Sequence, residues 1–125
     1  MIASVKTAHP TVLCVDDDNL ALALRKQVLE GAGFLVVTAF TAKQAFEILS
    51  SRRVDIVVTD HLLGTNSATT LACELRKRSK TLPILVVTGS AYIPLDNPPD
   101  YGLHKLDGPL ELISKVRMML PSLQS

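Results

Sequence analysis

Residues 11–19, TVLCVDDDN, carry an apolar run of Val12, Leu13, Cys14 and Val15 straight into three carboxylates, Asp16, Asp17 and Asp18. A short run that is apolar at consecutive positions, and bounded by charge, suits a strand buried on both faces. Strands of that kind belong to parallel sheets covered by helices, so this stretch sets the expectation for the rest of the chain. Its acidic end has two readings. An Asp-rich turn caps a helix, because carboxylates are favoured at a helix N-terminus, and a cluster of carboxylate oxygens holds a hard cation.

The same composition returns in FLVVT (34–38), VDIVVT (54–59) and PILVVT (83–88), with helical patterns between them. NLALALRKQVLEGAG (19–33) places Leu20, Leu24, Gln27 and Val28 at helical spacing and stops at Gly31 and Gly33. TAKQAFEILSS (41–51) opens with Thr41 and Gln44 in a capping-box pattern, with Ala42, Ala45, Phe46 and Leu49 on one face. A third helix is expected from Asn66 or Ser67 to Arg78, with Ala68, Leu71, Ala72 and Leu75 inward and a basic end that complements its dipole. The last begins near Pro109, with Leu112, Val116 and Met119 on one stripe. The stretch 89–103 contains Pro94, Pro98 and Pro99, so a loop is expected where alternation calls for a fourth helix, followed by a short strand over 101–105. Alternating strands and helices imply an α/β fold with a mostly parallel sheet.

With 125 residues the chain has the length of one domain, here placed at 11–121 between an N-terminal tail (1–10) and a C-terminal tail (122–125). A formal net charge of +1 gives no general attraction to nucleic acid or anionic lipid, so no direct nucleic-acid partner and no membrane association are expected. Cys14 and Cys73 have no CxxC or His-pair spacing, which argues against zinc or a disulfide framework. No apolar run reaches membrane-spanning length and residues 1–10 lack a signal-peptide core, so the expected location is cytoplasmic.

In open parallel sheets ligands bind beyond the carboxyl ends of the strands. Those ends carry Asp16 and Asp17, Asp60, Thr88 and, on this reading, Lys105. Oxygen ligands suit Mg²⁺, and a carboxylate flanked by cations can act as nucleophile in phosphoryl transfer, with a hydroxyl and an ammonium as donors to the phosphoryl oxygens. Asp60 fits the nucleophile, and Thr88 and Lys105 fit the donors.

With these pieces in place, VLCVDDDN, VDIVVTDHLLG, LPILVVTGS and LHK, the chain resembles the receiver domain of two-component response regulators over most of its length. The resemblance implies a flavodoxin-like, doubly wound sheet of five parallel strands in order 2-1-3-4-5. It implies Asp60 as phospho-acceptor, Thr88 and Lys105 as its catalytic partners, and Mg²⁺ as cofactor, held by Asp16, Asp17, Asp60 and the backbone carbonyl of Leu62. It further implies a sensor histidine kinase or phosphotransfer protein as donor, a downstream protein partner, and a signalling switch that catalyses only its own phosphoryl transfer and dephosphorylation. The apolar Leu62 would not orient an attacking water, which favours a long-lived phosphoryl group.

The chain departs from the family pattern at several points. Gly64 and Ala68 stand where receivers usually have proline and glycine, and Gly102 stands at the usual aromatic switch position, with Tyr101 beside it. Leu106 replaces the proline that usually follows the lysine. A cis bond there without proline costs about 2.5–4 kcal/mol, so a trans Lys105–Leu106 peptide is expected. His61, beside the acceptor, is read as a solvated loop residue. The main rival function is a receiver fold that docks a protein without being phosphorylated. A flavin or nucleotide site has no Gly-rich loop to support it. The sequence carries no output domain, which leaves a single-domain regulator, a receiver of a longer hybrid protein and a homodimer all open.

Overall fold

Three strands with every residue buried form the centre of the structure: β1 (Thr11–Val15), β3 (Ile56–Asp60) and β6 (Ile84–Thr88). The computed structural model describes residues 9–60, 62–63, 66–79, 81–88 and 101–120. Two further strands flank the centre, β2 (Leu35–Ala39) and β7 (Tyr101–His104), giving a five-stranded parallel sheet in the order β2-β1-β3-β6-β7. Counted within this sheet alone, the order is 2-1-3-4-5, as the resemblance implied. Edge strand β2 is half-exposed along most of its length, as the loss of one neighbour dictates.

Strand geometry sends alternate side chains to opposite faces, and the core divides accordingly. Val12, Cys14, Ile56, Val58, Leu85 and Val87 meet Leu22 and Leu29 of α1 (Asn19–Gly31) and Leu112, Val116 and Met119 of α4 (Pro109–Met119). Leu13, Val15, Val57, Ile84 and Val86 meet Ala45 of α2 (Ala42–Ser51) and Leu71 and Leu75 of α3 (Ala68–Arg78). Each fully buried Leu, Ile or Val contributes about 1.5–3 kcal/mol of transfer free energy, so both faces of the sheet are strongly held.

Helix termini follow local chemistry. The Asp18 carboxylate accepts from the Leu20 N–H at 3.0 Å and caps α1. The far end of α1 closes through Gly33 N–H to the Glu30 carbonyl (3.0 Å) and Phe34 N–H to the Leu29 carbonyl (3.1 Å). Gly33 has φ 101°, the left-handed conformation this closing turn requires. At α2 the Gln44 N–H donates to Thr41 Oγ1 at 3.1 Å, while Gln44 Oε1 accepts from the Phe40 N–H at 2.7 Å.

Two expectations change. The stripe at Leu20, Leu24, Gln27 and Val28 is not the inner face of α1, because Leu20 is 69% and Leu24 53% exposed. The inner face runs through Leu22, Arg25 and Leu29, and the charge in its middle disguised it in the sequence. The third helix begins at Ala68, one or two residues late, because Asn66 and Ser67 form β5 (Asn66–Ser67), which pairs antiparallel with β4 (Leu62–Leu63). The loop expected in place of a fourth helix falls at 89–100, outside the described residues, and the short strand after it is β7.

Candidate phosphoryl and metal site

The sheet register brings the polar strand ends together. Val15 pairs with Thr59, so Asp16 follows β1 level with Asp60 at the end of β3, and Asp60 pairs with Val87, one residue before Thr88. Thr88 pairs with His104, and its carbonyl accepts from the Lys105 N–H at 2.7 Å, which puts Lys105 just past the end of β7.

Carboxylate oxygens of Asp16, Asp17 and Asp60 lie within 4.8 Å of one another, Asp16 and Asp60 buried and Asp17 exposed. Lys105 Nζ stands 3.0 Å from Asp60 Oδ1. The ammonium is at ion-pair distance but not aimed along a hydrogen bond, and Asp60 Oδ1 is buried with no hydrogen-bond donor. A buried carboxylate oxygen without a donor is costly, and nearby positive charge offsets that cost. Three carboxylates of this hardness, one oxygen of them unsatisfied, therefore fit a small divalent cation such as Mg²⁺. Leu62, whose carbonyl the resemblance adds to this set, lies in the ladder with Ser67, while His61 is outside the described residues.

The lysine turn is built without proline. Lys105–Leu106 is trans, there being no cis peptide among the described residues. The His104 N–H donates to Asp107 Oδ2 at 3.1 Å, the Leu106 N–H donates to His104 Nδ1 at 3.0 Å, and the Asp107 N–H donates to the His104 carbonyl at 2.9 Å. Side chains on both sides of Lys105 thus close the turn that a rigid ring closes elsewhere.

One residue of the site was missed. Arg25 Nη1 donates to Asp16 Oδ2 at 2.6 Å, with the two side chains only 12% and 1% exposed. The other Asp16 oxygen accepts from the Asp18 N–H at 2.8 Å. The signal was available as spacing: Arg25 lies three residues after Leu22 and four before Leu29 on the face that meets the sheet. Beneath this pair, burial pushes the Cys14 thiol up to about 12, against the lowering effect of Arg25 and with a smaller raising effect from Asp16. Cys14 is therefore a protonated packing group at neutral pH, neither nucleophile nor ligand.

Residues 12–96 match the family model of the response regulator receiver domain. The chain belongs to the response regulator receiver family. Among relatives of this receiver, the transcriptional regulatory protein GlrR of Escherichia coli (strain K12) is 32% identical over 91 residues, covering 73% of this chain and 20% of that protein. The chain thus spans about a fifth of the length of that relative. A CheY-like receiver domain protein from Methanospirillum hungatei JF-1 superimposes with a TM-score of 0.85 at 25% identity, over 94% of this chain and 98% of that one. Response regulator protein TrrA from Thermotoga maritima, solved in complex with Mg²⁺ and BeF, gives a TM-score of 0.82 at 27% identity, over 89% of this receiver and 99% of that chain. No helix among the described residues is long and apolar enough to cross a membrane.

Proposed function

We propose that this receiver takes a phosphoryl group onto Asp60 from a phosphohistidine on a sensor histidine kinase or phosphotransfer protein, and thereby switches its protein contacts. The observation that carries the reading is the convergence of the Asp16, Asp17 and Asp60 carboxylates within 4.8 Å, with Lys105 Nζ 3.0 Å from the acceptor. An Asp60 carboxylate oxygen attacks phosphorus, the bond from phosphorus to the imidazole nitrogen breaks, and that nitrogen leaves with its electron pair. The product on this chain is a mixed carboxylic–phosphoric anhydride.

Asp16, Asp17, Asp60 and the Leu62 carbonyl would hold Mg²⁺, which supplies positive charge beside the transferring phosphoryl oxygens. The Lys105 ammonium and the Thr88 hydroxyl donate to those oxygens, and the buried floor of β1, β3 and β6 keeps the acceptor in place. Chemistry of this kind is largely positioning and electrostatics. The chain acts only on itself, as a switch and not as a turnover enzyme.

Incubation with Mg²⁺ and a small phosphodonor, followed by intact mass, tests the reading. A phosphoryl adduct forms on the wild type and is absent from Asp60→Asn. An unmodified wild type that also fails to bind Mg²⁺ would leave the protein-docking module in its place.

A further inference from the structure

We infer that Arg25 is a resident counterion of the acidic site, which shares Asp16 with the incoming divalent cation and so lowers the affinity of the resting protein for Mg²⁺. The inference rests on the phosphoryl-transfer reading and adds a regulatory residue to the same site.

Three observations carry it. Arg25 is the one cation on the inner face of α1, between the buried Leu22 and Leu29, where an apolar side chain would complete the packing. Its guanidinium contacts Asp16 Oδ2 at 2.6 Å, and with the Asp18 N–H on Oδ1 both Asp16 oxygens already have donors. The Asp60 carboxylate, in the same cluster, has an oxygen with none. Among the described residues, the three carboxylates carry three negative charges, and the ion pairs of Arg25 and Lys105 return two positive ones within the cluster and at its edge. A cation entering next to Asp17 and Asp60 therefore meets a site already largely neutralised, and must draw Asp16 away from Arg25 or bind beside a guanidinium. Both weaken binding.

The guanidinium has somewhere to go. A cavity of about 350 Å³ opens next to it, lined by Arg25, Val28, Leu103, Lys105 and Leu112, with Asp107 among its walls. Movement of Arg25 toward Asp107 would release Asp16 when a cation arrives, without leaving the positive charge unpaired. Arg25 thus positions Asp16 and sets the charge of the site; it touches no reacting atom.

Calorimetric titration with Mg²⁺ alone, on the full chain, tests this with wild type, Arg25→Met and Arg25→Lys. The Met variant binds Mg²⁺ about tenfold more tightly, as expected for removing one positive charge at this range, while the Lys variant stays within about twofold of wild type. Urea midpoints with and without Mg²⁺ cover impaired folding: Arg25→Met loses stability without the ion and recovers more of it than wild type on adding the ion. Equal or weaker Mg²⁺ binding by Arg25→Met overturns the inference, and a phosphoryl adduct on wild-type Asp60 in the same preparation then leaves the phosphoryl-transfer reading intact. Absence of Mg²⁺ binding from all three proteins, with no adduct, overturns both.

Discussion

Asp16 and Asp60 end neighbouring strands, both are buried, and each faces one cation, yet they are held in opposite ways. Asp16 is gripped by a guanidinium that is itself nearly buried, and both of its oxygens accept hydrogen bonds. Asp60 faces Lys105, whose side chain is 46% exposed, across 3.0 Å, and one of its oxygens has no donor. A planar guanidinium with several fixed donors satisfies a buried carboxylate as a structural joint, whereas a mobile ammonium leaves it available. The difference separates a carboxylate whose two oxygens the protein already satisfies from one with an oxygen left open.

Substitution at the two positions should break the symmetry between them. Asp16→Asn leaves Arg25 buried without its counterion and is expected to cost about 3 kcal/mol in urea unfolding, as for other buried pairs that lose one member. A loss below about 1 kcal/mol would mean that the pair is effectively solvated. Burial of this end of β1 also predicts an alkaline effect through Cys14. Its folded value of about 12 exceeds the ordinary 9.0, so the stability it contributes is complete below pH 9 and is lost as pH rises toward the folded value. The loss is at most about 1.4 kcal/mol per pH unit, and unfolding midpoints compared at about pH 8 and about pH 10 should fall less for Cys14→Val than for wild type. The smallest effect belongs to Asp60→Asn. Removing a poorly satisfied buried charge should leave stability unchanged or raise it by up to about 1 kcal/mol, the signature of a position held for function. A loss comparable to that of Asp16→Asn would erase the distinction between the two carboxylates.

Much of this arrangement was legible before folding was considered. TVLCV, VDIVVT and PILVVT read as doubly buried strands because their apolar residues are consecutive, and β1, β3 and β6 are buried throughout. Thr41 and Gln44 announced the start of α2, and Gly33 the end of α1, because caps are local chemistry. Lys105 was expected as the end of a strand over 101–105, and it follows directly on the last residue of that strand, His104. Other features escaped for physical reasons. Leu20 and Leu24 imitate an inner face, since helical spacing reports that residues share a side and not which side meets the sheet. The short β4–β5 ladder pairs Leu62 with Ser67 and Leu63 with Asn66, and strands of two residues are too short to show a period in the sequence.

The sequence by itself determined the alternation of strands and helices, the polar residue at each strand end and the oxygen chemistry they imply, because all of these follow from local composition and order. Only the tertiary structure decided how those residues are paired. Parallel register brought Asp16 level with Asp60, the rotation of α1 turned Arg25 inward onto Asp16, and His104 and Asp107 closed the turn that carries Lys105. Ion pairs between elements depend on helix rotation and strand register, which are set by the packing of both faces of the sheet at once and by no single stretch of the chain.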